Sequence, residues 1–447
     1  MTKTLIHQAL IINEGRSFIG SVLLEGVFIS HIFEGSVPQE VINESHVLDA
    51  SGKWLIPGAI DDHVHFREPG LTHKADLLTE SRAALAGGVT SYMEMPNTMP
   101  QTTTVQVWEE KMALAASKSL ANYSFYLGAT NDNLAELEKA DYKRVCGVKV
   151  FMGSSTGNML VGQQKALEGI FSSVPCIVGI HAESEAIIQA NKAHFLETFG
   201  GDLPVKYHPL IRSAEACYAS SATAVELATR FGTRLHILHL TTAKELDLFE
   251  SKPLKDKKIT AEVCVPHLWF DDRDYERCGN SIKCNPAIKT EQDKLSLRDG
   301  LISGKLDVIA TDHAPHLWAE KQGNCLTAAS GSPSIQFSVP LMMELVKDNV
   351  FTKELIVEKM CHAPASLYHI DRRGFIREGY FADLVLINPE DTWILTGDLI
   401  LSKCGWSPYE EQVFRTSVLK TWVNGTLAFN EGQFAEARTA SELRFQI

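Results

Sequence analysis

Between about residues 55 and 313 the chain alternates eight apolar, β-branched-rich runs with helical patterns. The runs are LIPGAIDDHVHF, GVTSYMEM, YSFYLGAT, GVKVFM, CIVGIHAE, RLHILHL, ITAEVCV and DVIATDHA. DLLTESRAALAGG, VQVWEEKMALAASKS, SAEACYASSATAVELATRF and EQDKLSLRDGLISG lie between them, and glycine closes several, as a helix stop should. Strands that are apolar along their whole length need cover on both faces, and alternation with helices makes their sheet parallel. Eight such units are the number that closes a (β/α)8 barrel. The competing arrangement, a doubly wound open sheet, would carry G-x-G-x-x-G after its first strand, and none is present. The predicted fold class is therefore α/β, a TIM-type barrel.

The flanks follow another pattern. Residues 1–54 and 374–430 hold short strands and turns without a convincing helix, for example SVLLEGVFISHIF and GFIREGYFADLVLINPE. Neither end has enough strands for an independent core. The economical reading is one small β-sandwich domain made from residues 1–54 and 371–447, packed beside a barrel over 55–370. Length alone, at about 150 residues per domain, would suggest roughly three domains. With 45% apolar and 22% charged residues, the chain can build a large core and is not disordered. A net charge of −13 argues against a nucleic-acid partner but not against a small anionic ligand, which responds to local charge. No apolar run is long enough for a membrane span, and His7 and Gln8 interrupt the only N-terminal candidate for a signal. The nine cysteines are scattered without a C-x-x-C pair, so buried thiols in a reducing cytoplasm are expected.

Chemistry collects at strand ends. Asp61, His63, His65 and Arg67 in DDHVHFRE share parity, so His63 and His65 can converge on one ion. A bare H-x-H also fits two hydrogen-bonded surface histidines. His181, His239 and Asp312, however, close the fifth, sixth and eighth runs. Barrel active sites are assembled from several strands at their C-terminal ends, so these residues would meet on one rim as a metal centre. His236 has the opposite parity to His239 and is expected to face the helices in a packing role. Lys149 sits inside the apolar run GVKVFM, where a buried ammonium is costly. Two readings remain open for it: an ion pair with Asp or Glu at the rim, or a neutral amine that takes up carbon dioxide and becomes a bridging carbamate. From the residues alone, Arg67 reads as a partner of Glu68 or Asp61, and Asn97 as a turn residue after Met95-Pro96.

PGAIDDHVHFREPGLTHK, AGGVTSYMEMPNT, HAESE, LHILHLTTAKE, KCNPAIKTEQD and IATDHAPH together resemble the dihydroorotases of the amidohydrolase superfamily, and GFIREGYFADLVLINP extends the likeness into the β domain. The resemblance implies reversible hydrolysis of the cyclic amide of dihydroorotate to N-carbamoyl-aspartate. It implies His63 and His65 on the more buried metal, His181 and His239 on the other, and Asp312 as both ligand and catalytic acid/base. Arg67, Asn97, Asn285 and His316 match substrate-binding positions. One branch places a bridging Asp where Gly153 stands in FMGSSTG; other members place a carboxylated lysine at Lys149, which is the bridge expected between two Zn²⁺ ions. The loop SGSPSIQF, within 328–337, departs from that branch's P-F-G motif. A homodimer would fit the family. Dihydropyrimidinase, hydantoinase and allantoinase activities are the nearest alternatives, and a non-catalytic paralogue the alternative of another class.

Overall fold

The computed structural model describes residues 3–153 and 159–446. Three parallel strands, Ala59–Val64, Val89–Glu94 and Asn122–Phe125, open the barrel. Leu127–Gly128 continues the third, and each strand then pairs in parallel with the next through Val148–Phe151, Val178–His181, Leu235–Ile237, Ile259–Cys264 and Val308–Ala310. A parallel bridge from Val64 to His313 returns the eighth strand to the first. The eight runs of the sequence thus become the eight strands of a (β/α)8 barrel. The start of the first run, with Trp54 before it, forms the strand Trp54–Pro57, which pairs in the other domain.

The helices begin and end where side chains and glycine can satisfy their terminal backbone groups. Asp76 and Thr79 form a capping box ahead of Leu77–Ala86, and Thr290 with Asp293 does the same ahead of Glu291–Ile302. Ser213 caps Ala214–Phe231, which stops at Gly232 in the left-handed conformation (φ 72°). Leu77, Ala83, Ala84 and Leu85 of the first of these helices are buried in the barrel core. Among the described residues no helix is long and apolar enough to cross a membrane.

A nine-stranded sheet takes strands from both ends of the chain, which meet where Trp54–Pro57 pairs antiparallel with Leu384–Asn388. Alternation decides what each face touches. Val385 and Ile387 join the barrel core, whereas Leu384 and Leu386 join a second core with Ile11, Val22, Leu24, Ile29 and Trp422. Leu384 and Ile29 lie several strands apart in the sheet yet share that core, so the sheet bends around it in the manner of a sandwich. The N-terminal flank, expected to lack helix, carries the short helix Gln39–Glu44, with no buried residue.

A buried polar cluster fastens the two parts together. Arg373 pairs with Asp383 and donates to Asn424 Oδ1 (2.8 Å). Asp383 also accepts from Asn122 on the third barrel strand (3.1 Å) and from the Asn424 backbone N–H (2.8 Å). Asn122 Oδ1 in turn accepts from Asn424 Nδ2 (2.9 Å) and the Ser441 N–H (3.0 Å). Removing one partner leaves the others buried and unpaired. Asp383→Ala is expected to cost about 3–5 kcal/mol, read as a lower urea midpoint, with part of the loss recovered in the Arg373→Met/Asp383→Leu double variant.

Candidate metal centre and substrate pocket

The ten residues expected to bind metal or substrate line one cavity of about 310 Å³: His63, His65, Arg67, Asn97, Lys149, His181, His239, Asn285, Asp312 and His316. It opens where the barrel strands end. His181 is the last residue of its strand; His239 and Asp312 each lie two residues past theirs. His239, Asp312 and Arg67 have positive φ (41°, 47° and 70°), so three non-glycine residues of the cavity wall are held in the left-handed region. Backbone strain of this kind concentrates at functional sites.

On the first strand, His63 Nδ1 donates to Glu262 Oε1 (2.6 Å) and His65 Nδ1 donates to Asn97 Oδ1 (2.8 Å). Both rings are thereby turned so that Nε2 faces Asp312 Oδ1, at 3.3 and 3.1 Å. Three ligand atoms of His63, His65 and Asp312 converge within 4.8 Å of one another. Burial pulls the His65 imidazole down to about 3. Burial pushes the Asp312 carboxyl up, but His63 and His65 more than offset this and hold it at about 2. A neutral imidazole and an ionised carboxylate are the forms that bind metal.

On the other side, His181 Nε2 is engaged by Glu183 Oε2 (2.7 Å), itself gripped by Arg212, which commits Nε2 and leaves Nδ1 as the nitrogen that could hold an ion. The His239 ring stands 4.5 Å from that of His181 and 5.1 Å from that of His63, and its buried Nδ1 has no hydrogen-bond partner among the described residues. Lys149 is 1% exposed; among the described residues its Nζ has no carboxylate or hydrogen-bonding partner and lies over the Phe151 ring (4.7 Å). The ion-pair reading of Lys149 is not realised. Burial draws its ammonium down to about 7. A side chain at Gly153 would put Cβ 2.1 Å from the Glu183 carbonyl oxygen, so no carboxylate fits there. Imidazoles, a carboxylate and an unpaired amine around an orphaned buried nitrogen form a donor set that fits divalent ions.

The substrate side presents donors. Arg67 Nε donates to the Pro315 carbonyl (3.0 Å), Nη2 lies 3.2 Å from His316 Nε2, and no carboxylate among the described residues pairs with the guanidinium. Its simpler partners are taken: Glu68 binds Lys118 and the Leu77 N–H, and Asp61 binds Thr311. His316 is held down at about 2 by burial and by Arg67 and Lys74; its Nδ1 accepts from Lys74 Nζ (3.2 Å) and its Nε2–H donates to Ser330 O (3.1 Å). Asn97 uses its carbonyl on His65, and Asn285 uses Oδ1 on His208 Nε2 (3.1 Å), which leaves both amide NH₂ groups as donors.

His236 departs from expectation. Its Nε2 lies 3.4 Å from Asp62 Oδ2 and 3.5 Å from Glu262 Oε2. The first and sixth strands are not neighbours, so this contact crosses the barrel interior. Parity failed because the sixth strand ends at Ile237 and His239 follows in a left-handed turn. The first strand slips register between Asp61 and Val64 as well, bringing Asp62 inward. Sequence reasoning also missed Glu262, Glu183 and Arg212, which orient His63 and His181. A lone carboxylate in the apolar run ITAEVCV was the available signal, the same one that drew attention to Lys149.

Residues 180–428 match a profile of the Amidohydrolase family. The dihydroorotase of Methanosarcina acetivorans is 32% identical over 382 residues, covering 83% of this chain and 80% of that protein. An allantoinase of Bacillus velezensis is 28% identical over 87% of each. Among solved structures, the L-hydantoinase (dihydropyrimidinase) of Arthrobacter aurescens superposes with a TM-score of 0.93 at 24% identity, covering 99% of this chain and 100% of that one. With the family profile spanning more than half of its length, and a relative this similar along most of both sequences, the chain belongs to the amidohydrolase family.

Proposed function

We propose that the chain is a dihydroorotase, hydrolysing the ring amide of (S)-dihydroorotate reversibly to N-carbamoyl-L-aspartate in pyrimidine synthesis. The observation that carries the reading is Arg67: a buried guanidinium that has no carboxylate partner among the described residues, in a wall that otherwise offers hydrogen-bond donors. Such a wall favours a carboxylate-bearing ring over the uncharged rings of dihydrouracil, hydantoin or allantoin.

His63, His65 and Asp312 would hold one Zn²⁺, His181 and His239 a second, and Lys149, as a carbamate formed with loss of a proton to solvent, would bridge both. Bound ions of this kind lower the pKa of a water from about 15.7 to about 7 and polarise an amide carbonyl. Asp312 takes one proton of the attacking water and delivers it to the ring nitrogen as the C–N bond breaks, and the water's second proton leaves to solvent when the new carboxyl group ionises. Arg67 grips the substrate carboxylate, with Asn97 and His316 completing that cradle, and Asn285 helps to fix the ring.

Three outcomes are expected. In a panel of cyclic amides, dihydroorotate is turned over while dihydrouracil and allantoin are not; the opposite pattern sinks the proposal. Arg67→Ala loses about 100-fold in kcat/KM, mainly through KM, since a charge-assisted pair contributes about 3 kcal/mol, and keeps its metal by elemental analysis. Lys149→Ala purifies with less metal per chain than the unmodified protein.

A further inference from the structure

The loop after the eighth strand, which supplies Ala329, Ser330 and Gly331 to the cavity, is held by a residue outside the cavity. Lys321 is fully buried and donates to three backbone carbonyls: Lys283 O (3.0 Å), Ala329 O (2.9 Å) and Gly331 O (2.8 Å). An ammonium has three N–H bonds, and all three are used; among the described residues no carboxylate neutralises it. Burial draws this group down to about 7, and the Trp406 ring lies 5.7 Å from its Nζ; an amine held this way by three carbonyls is an expensive means of fastening a loop, and an apolar side chain would have been cheaper if packing were the sole requirement.

Two of those carbonyls flank Ser330, whose own carbonyl accepts from His316 Nε2 (3.1 Å). His316 in turn touches Arg67 Nη2 (3.2 Å). The third carbonyl, of Lys283, also accepts from the Gly331 N–H (2.8 Å), and it lies two residues before Asn285. Gly331 shows how closely the loop is pressed home: its φ is +131°, and a Cβ there would meet Ala314 O at 2.6 Å and His316 Cδ2 at 3.2 Å. Trp406 closes the stack, donating its indole N–H to His316 O (2.7 Å).

We propose that Lys321 is a specificity-determining positioning residue: it locks the 329–331 backbone against His316 and so sets the orientation in which His316 and Arg67 meet the substrate carboxylate. The inference rests on the dihydroorotase reading and deepens it. It places discrimination between charged and uncharged rings partly in a residue that does not touch the substrate.

The test compares the metal-loaded wild type with Lys321→Met. The wild type is first assayed on dihydroorotate; absence of turnover there would defeat the proposed function itself, separately from this inference. Given wild-type turnover, Lys321→Met is expected to raise KM for dihydroorotate about tenfold or more, with kcat within about threefold and metal content unchanged. A general structural defect would instead lower kcat or metal content without moving KM. Unchanged KM, or a loss confined to kcat, overturns the inference. Where Lys321→Met fails to fold, Lys321→Gln, which keeps some of the donors, decides: a raised KM with metal retained upholds the inference, and an unaltered KM refutes it.

Discussion

The parallel bridge between Val64 and His313 joins the last barrel strand to the first at the level where both carry ligand-type side chains. His65 takes its backbone hydrogen bond from the same closure, donating to the His313 carbonyl (2.7 Å). His63, His65 and Asp312 therefore meet only because the barrel is shut, and an open sheet with the same strands would leave Asp312 far from both histidines. The cost is a rim crowded with buried polar groups. Glu262 answers part of it by accepting from His63 Nδ1 and from the His239 N–H (2.9 Å), so that one carboxylate steadies two histidines from different strands.

That arrangement explains why the net charge of −13 carried little information about the ligand. Glu262 and Glu183 stand behind the histidines, but in the cavity wall itself Arg67, which no carboxylate among the described residues pairs with, lies beside a neutral His316. Potential within a desolvated cleft follows its own wall rather than the whole protein.

Much of the fold and most of the cavity wall were legible in the sequence, for a physical reason. Apolar strands covered on both faces leave few places for polar side chains, so His181, Lys149 and Asp312 stood out against their surroundings. What was hidden depends on local breaks in alternation. His236 was misread because strand parity was carried past Ile237, where the backbone turns left-handed at His239. Asp62 was passed over because the slip in the first strand cannot be seen in DDHVHF. Lys321, in the unremarkable stretch WAEKQGN, showed no pattern at all; only the folded chain reveals three carbonyls around its ammonium.

The sheet joining the two ends of the chain also orders events in time. Leu55 pairs with Leu386, so the early strands wait for partners roughly 330 residues away, which at ribosomal speed is a delay of some 20–70 s. The barrel strands emerge in that interval and need no partner from either flank to close on one another. During synthesis the N-terminal hairpins must therefore remain as an unfinished edge, available to other nascent chains, until the segment around Leu384–Asn388 arrives to cover them.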